Sequence, residues 1–275
     1  MARRGGTIRR LERQGGMLAV GLLGMAAVMA FSLPVKGEDG MSGCRRVSFE
    51  GRGFIACRFV AGKDDIRLFH ADDAKRPLYS FAALRRHLEQ RGLELRFAMN
   101  GGMYTPRYAP AGLYVENGRT LKSINLRKGR GNFHLLPNGV FWIRGDKAGV
   151  WESRRFARAK MTVDYATQSG PMLVINGRLH PRFRANSPSR RIRNGVGVQA
   201  DGRTVWFALS EEPVTFHRFA CFFRDALKTP NALFLDGTIS QIYAPELGRF
   251  GRFLPMGPMI AVVAPLKKAG KDAAR

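Results

Sequence analysis

The chain has 275 residues, 45% of them hydrophobic and 24% charged, which is enough apolar material for one sizeable core. This content excludes a disordered protein, and three cysteines are too few for a disulfide-stapled miniprotein. The 46 Lys and Arg residues against 21 Asp and Glu residues give a net charge of +25. Only five of these basic residues and one acid precede residue 31, so the remainder is basic in its own right.

The N-terminal segment predicts export. Residues 1–16 carry five arginines, residues 17–33 carry no charged side chain, and Val28-Met29-Ala30 has the small side chains that a signal peptidase recognises. This order is that of a secretory signal peptide over residues 1–30. An uncleaved anchor is the alternative, because the apolar run is near the minimum length that spans a bilayer. We expect a periplasmic or secreted protein, or a membrane-anchored one that faces the periplasm.

The cysteines fit an oxidising compartment. Cys44 and Cys57 flank the first predicted strand region and could close a short loop, which would stabilise the fold by about 3 kcal/mol. Cys221 lies on the apolar side of a predicted helix, where a buried unpaired thiol is expected. The five histidines are scattered and there is no Cys-x-x-Cys motif, so we predict no cofactor and leave a divalent metal open.

The basic charge indicates an acidic partner. Export and the lack of a recognisable binding fold argue against nucleic acid. Outside the cytoplasm the acidic partners are phosphate-bearing glycans, lipid head groups and acidic polysaccharides. A solvated surface suited to an anionic envelope is the alternative for most arginines. Membrane contact is expected only through the N-terminal segment, if that segment is uncleaved.

The first half of the chain reads as strands and one helix. Alternating or apolar runs predict strands at 54–60, 66–69 and 95–99. Ser80 is the predicted N-cap of a helix that Gly92 ends, with one apolar face. Its members are Phe81, Leu84 and Leu88.

Turn signals recur from residue 117 onward. Four dipeptides with strand-like residues on both sides predict β-hairpins, because Asn, Asp and Gly accept the positive φ angles of tight turns. Thr215 is the predicted N-cap of a second helix with apolar residues at helical spacing, and 232–235 reads as a buried strand. The four dipeptides are Asn117-Gly118, Asn138-Gly139, Asn176-Gly177 and Asp201-Gly202, and the helix residues are Phe216, Phe219, Ala220, Phe223 and Leu227.

These elements predict an α+β fold, a single domain of mixed, mainly antiparallel sheet with several β-hairpins packed on about two helices. The predicted organisation is a signal peptide at 1–30, a linker at 31–43, the folded domain at 44–264 and a basic disordered tail at 265–275.

Two segments have the composition of a ligand-binding loop. Asn100-Gly101-Gly102 follows the strand at 95–99, and paired glycines at a strand exit let the backbone approach a ligand; a plain turn is the alternative. Ser169-Gly170-Pro171 precedes a stretch rich in arginine that ends at Arg193, and guanidinium groups bind phosphate oxygens in pairs. A solvated run of charge is the alternative for this loop.

The third segment is Asp236-Gly237-Thr238-Ile239-Ser240, where a carboxylate ends an apolar strand. A buried acid needs a partner or a chemical task, although a lone Asp-Gly is also a common turn. Acids are sparse between residues 153 and 246, and the main acid–base candidates there are Asp164, Glu211, Glu212 and Asp236. Neither a Gly-x-Ser-x-Gly elbow nor a P-loop is present in the sequence.

An ordered set of motifs resembles the phosphodiester glycosidase family, and most closely its exported bacterial branch. The matching stretches cover most of residues 44–262, the predicted phosphodiester glycosidase-like domain. They are Phe97-Ala98-Met99-Asn100-Gly101-Gly102-Met103-Tyr104, Gly112-Leu113-Tyr114-Val115-Glu116-Asn117-Gly118, Asn138-Gly139-Val140-Phe141, Ser169-Gly170-Pro171-Met172-Leu173-Val174, Arg193-Asn194-Gly195-Val196-Gly197 and Ala232-Leu233-Phe234-Leu235-Asp236-Gly237.

The resemblance implies an enzyme that cleaves a sugar, similar to an N-acetylhexosamine, from a phosphodiester-linked sugar 1-phosphate in envelope or extracellular glycans. Thr238 and Ile239 stand where relatives have a glycine-richer loop, which leaves the sugar identity open. The candidate catalytic residues are Asp236 and, in reserve, Glu211. The candidate substrate-binding residues are Asn100, Gly101, Gly102, Ser169, Gly170, Arg193, Gly237 and Ser240.

The resemblance leads to a hypothesis for the mechanism. Arg193 binds the phosphodiester, and Asp236 stabilises the oxocarbenium-like centre or activates water. Asn100 and Ser240 orient sugar hydroxyls. Two other functions remain open. One is a non-catalytic module that binds anionic envelope glycans. The other is a phosphodiesterase that attacks phosphorus.

Overall fold

The structure, a computed structural model, describes residues 42–236, 239–251 and 254–266. The predicted signal peptide, almost all of the linker, Gly237 and most of the basic tail lie outside these residues. Within the described residues, none of the helices has the length and apolar character needed to cross a membrane.

The described residues form strands and short helices in the following chain order: β1 (Gly43–Phe49), β2 (Arg52–Val60), β3 (Asp65–Phe69), α1 (Phe81–Glu89), β4 (Leu93–Asn100), β5 (Tyr114–Glu116), β6 (Arg119–Lys122), β7 (Gly139–Arg144), β8 (Lys147–Glu152), α2 (Ser153–Ala159), β9 (Tyr165–Ser169), β10 (Met172–Ile175), β11 (Arg178–Leu179), β12 (Asn194–Val198), β13 (Thr204–Ser210), α3 (Phe216–Cys221), β14 (Asn231–Asp236), β15 (Ile242–Ala244), β16 (Arg249–Phe250) and β17 (Met259–Pro265). A π-helix (Phe222–Ala226) continues α3, and two 3₁₀ turns lie at Asn132–His134 and Pro245–Leu247.

The strands make three antiparallel sheets. The first has the order β1-β2-β13-β12-β14-β10-β11, the second β16-β15-β4-β17-β3, and the third β6-β5-β9-β7-β8. Helices are few and short beside these sheets. The predicted α+β class with mainly antiparallel sheet is confirmed.

One common core joins the three sheets, and it is built by strand alternation. In β2 the side chain of Ile55 points into this core, whereas its neighbour Phe54 points to the opposite face. The same division separates Leu233 from Phe234 in β14. Each sheet therefore has a second apolar face that another element must cover.

A helix covers each of these outer faces. The aromatic residues of α3 and its π-helical extension pack on the first sheet, and Leu84 and Leu88 of α1 pack on the second. Phe156 of α2 packs on the third. The sequence predicts α1 and α3 with their N-caps, since Ser80 accepts from Ala83 and Thr215 from Arg218. It does not predict α2, a basic seven-residue helix with a single large buried side chain.

Three of the four predicted hairpins are confirmed, at Asn117-Gly118, Asn176-Gly177 and Asp201-Gly202. The fourth, at Asn138-Gly139, is wrong. Asn138 is buried and its Nδ2 donates to the carbonyl of Phe133 at 2.8 Å, while Gly139 begins β7. A Cβ at Gly139 would lie 3.0 Å from the carbonyl oxygen of Trp151, so this glycine serves close packing inside the sheet. The hairpin partner of β7 is β8.

The predicted disulfide is confirmed, and it joins the two strands at the edge of the first sheet. Cys44 and Cys57 lie directly opposite each other in the pairing of β1 with β2 and are bonded. The third cysteine, Cys221, is a buried free thiol as expected, and burial raises its pKa. The bond therefore ties β1 to β2 where β1 has no other strand neighbour in the described sheet.

Removal of this bond is expected to lower the stability of the fold. The double variant Cys44→Ser with Cys57→Ala should lose about 3 kcal/mol of unfolding free energy. A bond that closes a loop of this size lowers the conformational entropy of the unfolded chain, and this loss corresponds to about that free energy. Urea unfolding measures the loss, and wild type in reductant should match the variant. Equal stability of the oxidised protein and the variant would contradict a stabilising role for the bond.

Candidate active site

Three polar side chains meet where strands of two sheets end. Asn100 ends β4 of the second sheet, Asn194 begins β12 of the first, and Asp236 ends β14 beside it. The Nδ2 of Asn100 donates to Oδ2 of Asp236 at 3.2 Å, although 136 positions separate the two residues. Asn194 contacts both, since its Nδ2 donates to Oδ1 of Asn100 and its Oδ1 accepts from the backbone N–H of Asp236. These three residues are called the Asn–Asn–Asp cluster below.

Hydrogen bonds fix the orientation of the cluster. Asn100 Oδ1 accepts from Asn194 Nδ2 at 3.3 Å and from the backbone N–H of Gln241 at 2.7 Å. An amide whose oxygen accepts two donors has its nitrogen committed to the other side, and that side faces Asp236. Both asparagines are fully buried, and Asp236 is only 5% exposed. The carboxylate is therefore held in a defined position at the edge of the core.

Tyr104 adds a neutral hydroxyl to this neighbourhood. Burial, followed by the negative charge of Asp236, raises the pKa of Tyr104 to about 12. The phenol therefore keeps its proton at neutral pH and can donate it in a hydrogen bond. Its ring stacks on that of Tyr108 with the ring centroids 5.7 Å apart, which fixes the tyrosine against the following loop.

The glycines of the predicted binding loops pack against the protein itself. A Cβ at Gly101 would lie 2.7 Å from the backbone carbon of Met259, and one at Gly102 would lie 2.5 Å from Oγ1 of Thr167. Gly170 has the same constraint against Asn138. These glycines let the loops approach β17, β9 and the residue before β7 closely.

The two predicted serines brace the same region through backbone carbonyls. Ser169 is fully buried and donates to the carbonyl of Leu235, the residue before Asp236, at 2.9 Å. The Ser240 hydroxyl lies 3.2 Å from the carbonyl oxygen of Ile192 and 3.4 Å from that of Asp236. The two serines therefore contact the main-chain carbonyls of Leu235 and Asp236, next to the carboxylate.

The guanidinium of Arg193 lies on the α3 face of the first sheet. Its Nε donates to the carbonyl of Val214 at 2.9 Å and its Nη2 to that of Ser189 at 3.2 Å. The charged carbon lies 3.6 Å from the centre of the Phe216 ring and 5.6 Å from that of Phe234, which are cation–π distances. Arg193 is 1% exposed, and burial lowers its pKa to about 10.

Glu211 directly follows β13 and lies outside the Asn–Asn–Asp cluster. Its Oε1 accepts from Arg249 Nη2 at 2.7 Å and from Arg46 Nε at 3.4 Å. Glu211 and Ser240 line the same cavity of about 300 Å³. The structure thus brings Asn100, Ser169, Ser240 and Asp236 together, and it gives Glu211 two arginine partners.

Comparison with known proteins identifies the family. The family model for phosphodiester glycosidases matches residues 94–249, which is more than half of the chain and includes the whole cluster. The chain belongs to the phosphodiester glycosidase family. This confirms the resemblance predicted from the motifs.

Two similar proteins can be named. The uncharacterized protein YigE of Escherichia coli (strain K12) is 45% identical over 150 residues, covering 54% of this chain and 58% of that protein. The match thus spans little more than half of that curated relative. The catalytic domain of zebrafish N-acetylglucosamine-1-phosphodiester alpha-N-acetylglucosaminidase, auto-inhibited by its pro-peptide, has a TM-score of 0.54 at 13% identity. That comparison covers 80% of this chain and 81% of the zebrafish chain, and it shows a shared fold.

Three residues of this chain stand out only in the structure. Asn194, Tyr104 and Gln241 all contact or influence the cluster, but the sequence singled out Arg193 instead of its neighbour Asn194. Asn194 and Tyr104 both lie within the family motifs, so the motif positions were the signal that could have found them. Gly237 lies outside the described residues and its role stays a prediction.

The contacts of Arg193 predict a large effect on stability. Arg193→Ala should lower the unfolding free energy by about 2–4 kcal/mol, because it opens a cavity beside Phe216 and removes the donors to two backbone carbonyls. Arg191→Ala, which truncates an exposed neighbour, is the matched control and should stay within about 0.5 kcal/mol of wild type. Denaturant unfolding of both variants measures this; equal stability of the two would show that the buried guanidinium contributes little.

Proposed function

We propose that this protein is an exported hydrolase that cleaves the glycosidic bond of a sugar phosphodiester. Water adds to the anomeric carbon, the bond from that carbon to the phosphate oxygen breaks, and a phosphate monoester leaves. The observation that carries the proposal is the Asn100–Asp236 contact, in which a buried carboxylate is held by an oriented amide within the family region. The zebrafish protein that shares this fold is named as an N-acetylglucosamine-1-phosphodiester alpha-N-acetylglucosaminidase, and this name supports the proposed reaction type.

The geometry supports a simple division of chemistry. A phosphate monoester is a good leaving group, so the sugar–phosphate bond needs little help from a strong general acid. The oriented carboxylate of Asp236 then either stabilises positive charge at the anomeric carbon or activates the water. Asn100 Nδ2 fixes the carboxylate. The Tyr104 hydroxyl, which keeps its proton at neutral pH, is the proposed donor to a sugar hydroxyl. The proposed sugar is similar to an N-acetylhexosamine.

The central test removes the charge of Asp236 and keeps its shape. Asp236→Asn should slow turnover of N-acetylglucosamine 1-(methyl phosphate) by about 10²–10⁴-fold, since an amide neither stabilises a cation nor accepts a proton. Release of free sugar measures the rate, and thermal unfolding checks the fold. Asp225→Asn, on the surface beside Arg224, is the matched control and should be fully active. Near-normal turnover by Asp236→Asn would remove Asp236 from the mechanism.

The same substrate separates the proposal from the two other functions. In ¹⁸O-labelled water, attack at the anomeric carbon leaves the released methyl phosphate unlabelled. Attack at phosphorus places the label in a phosphate product and would assign a phosphodiesterase. A wild-type protein that the substrate stabilises thermally but that releases no product would be a binding module.

Export is a further part of the proposal. It is supported by the N-terminal order of arginines, uncharged residues and small residues, and by the bonded pair Cys44–Cys57. The chain isolated from the periplasm of an expressing bacterium is expected to lack about the first 30 residues, and its intact mass measures this. Recovery of the full-length chain in the membrane fraction would favour the anchored form, and recovery in the cytoplasm would contradict export.

A further inference from the structure

A cavity of about 300 Å³ lies next to the cluster and shares a wall with it. Ser240 and Gln241 line this cavity, and the backbone N–H of Gln241 donates to Asn100 Oδ1 at 2.7 Å. The Ser240 hydroxyl lies 3.4 Å from the carbonyl oxygen of Asp236. Ser240 and Gln241 therefore border both this cavity and the Asn–Asn–Asp cluster.

Glu211 and Arg249 also line this cavity, and Arg46, which is not part of the lining, pairs with the same carboxylate. Glu211 Oε1 accepts from Arg249 at 2.7 Å and from Arg46 at 3.4 Å, so the three side chains together carry one net positive charge. Glu211 is held in place, since its backbone N–H donates to the carbonyl of Gly53 at 2.9 Å. A Cβ at Gly53 would lie only 3.1 Å from Glu211 Oε2, so this glycine leaves the space that the carboxylate fills.

The two arginines are available to a ligand in a way that Arg193 is not. The side chains of Arg46 and Arg249 are 55% and 45% exposed, and a guanidinium has five N–H donors, most of which remain for an anion. Arg193 is buried, with donors directed at two backbone carbonyls. Phosphate is bound best by guanidinium groups that can present paired N–H donors, which favours the exposed pair.

We propose that the phosphate of the sugar phosphodiester binds between Arg249 and Arg46, with the sugar at the Asn–Asn–Asp cluster. This inference rests on the proposed function and deepens it, because it assigns the phosphate to this cavity in place of Arg193. Glu211 is then a positioning residue that holds the two guanidinium groups. Its predicted role as a reserve catalytic carboxylate is replaced by this one.

The kinetic test uses Arg249→Gln on N-acetylglucosamine 1-(methyl phosphate). Loss of a charge-assisted pair of hydrogen bonds should raise KM by about 10–100-fold, with a much smaller change in kcat. Arg249→Lys should recover part of the affinity, since it keeps the charge but not the fork. Arg85→Gln, an exposed arginine paired with Glu89 on α1, is the matched control and should keep the wild-type KM. An unchanged KM in Arg249→Gln would overturn the proposal.

Glu211→Gln separates positioning from catalysis. If Glu211 holds the arginines, the variant raises KM and leaves the pH profile of kcat in place. If turnover instead falls by about two orders of magnitude or more while KM is unchanged, Glu211 has a catalytic role and its positioning role is overturned. Thermal unfolding of each variant shows whether the fold is kept.

A binding measurement keeps this test independent of turnover. Methyl phosphate should bind wild type and Asp236→Asn with similar affinity and bind Arg249→Gln at least about tenfold more weakly, as measured by calorimetry. Binding that Arg249→Gln weakens supports the phosphate site even if no substrate is hydrolysed, and inactivity then counts against the proposed function alone. Binding that Arg249→Gln leaves unchanged overturns the phosphate site whatever the turnover.

Discussion

The burial of one carboxylate sets the requirements for the rest of this site. Asp236 is almost fully removed from water, and a buried acid is costly unless polar groups are fixed around it. Asn100 from the second sheet and Asn194 from the first supply such groups. The site therefore exists only if the two sheets meet in one register at this corner.

The packing of α3 helps to hold that register. In β12 the glycines alternate with side chains that face the common core, so the α3 face of the strand is bare backbone. A Cβ at Gly195 would lie 3.2 Å from the Phe219 ring, and one at Gly197 would lie 2.8 Å from Phe223. The aromatic side chains thus pack directly against β12, the strand that Asn194 begins. Motifs that resemble ligand loops in the sequence build much of the frame of the site.

The sequence predicts the fold well because strand alternation and helix caps are local signals. The β2, β3, β4 and β14 regions and the capped helices α1 and α3 all follow from such signals. It fails at Asn138-Gly139, where burial against β8 decides the conformation, and at α2, where one phenylalanine carries the packing. Neither effect is visible in a local pattern, because Gly139 also packs against Met172 and Leu233, and Phe156 packs on the third sheet.

The site shows the same limit more sharply. Arg193 directly precedes β12 and Asn194 begins it, and the two side chains point to opposite faces of the sheet. The sequence favours the arginine because a cation suits a phosphate, but the asparagine is the one that reaches Asp236. Only the register of the paired strands decides which of the two side chains points towards the cluster.

The arginines also differ in what their charge does for the protein. Burial lowers the pKa of Arg193 to about 10, so it stays protonated at neutral pH in both the folded and the unfolded chain. Above about pH 10, and up to the ordinary pKa of an arginine, the unfolded chain binds more protons than the folded one, so this residue's contribution to stability rises with pH there. The charge of Arg193 is therefore a burial cost that its carbonyl and aromatic contacts offset. Arg46 and Arg249 keep much of their hydration, and their charge remains available to an anion. A basic residue near an active site serves binding only where the fold leaves its donors free.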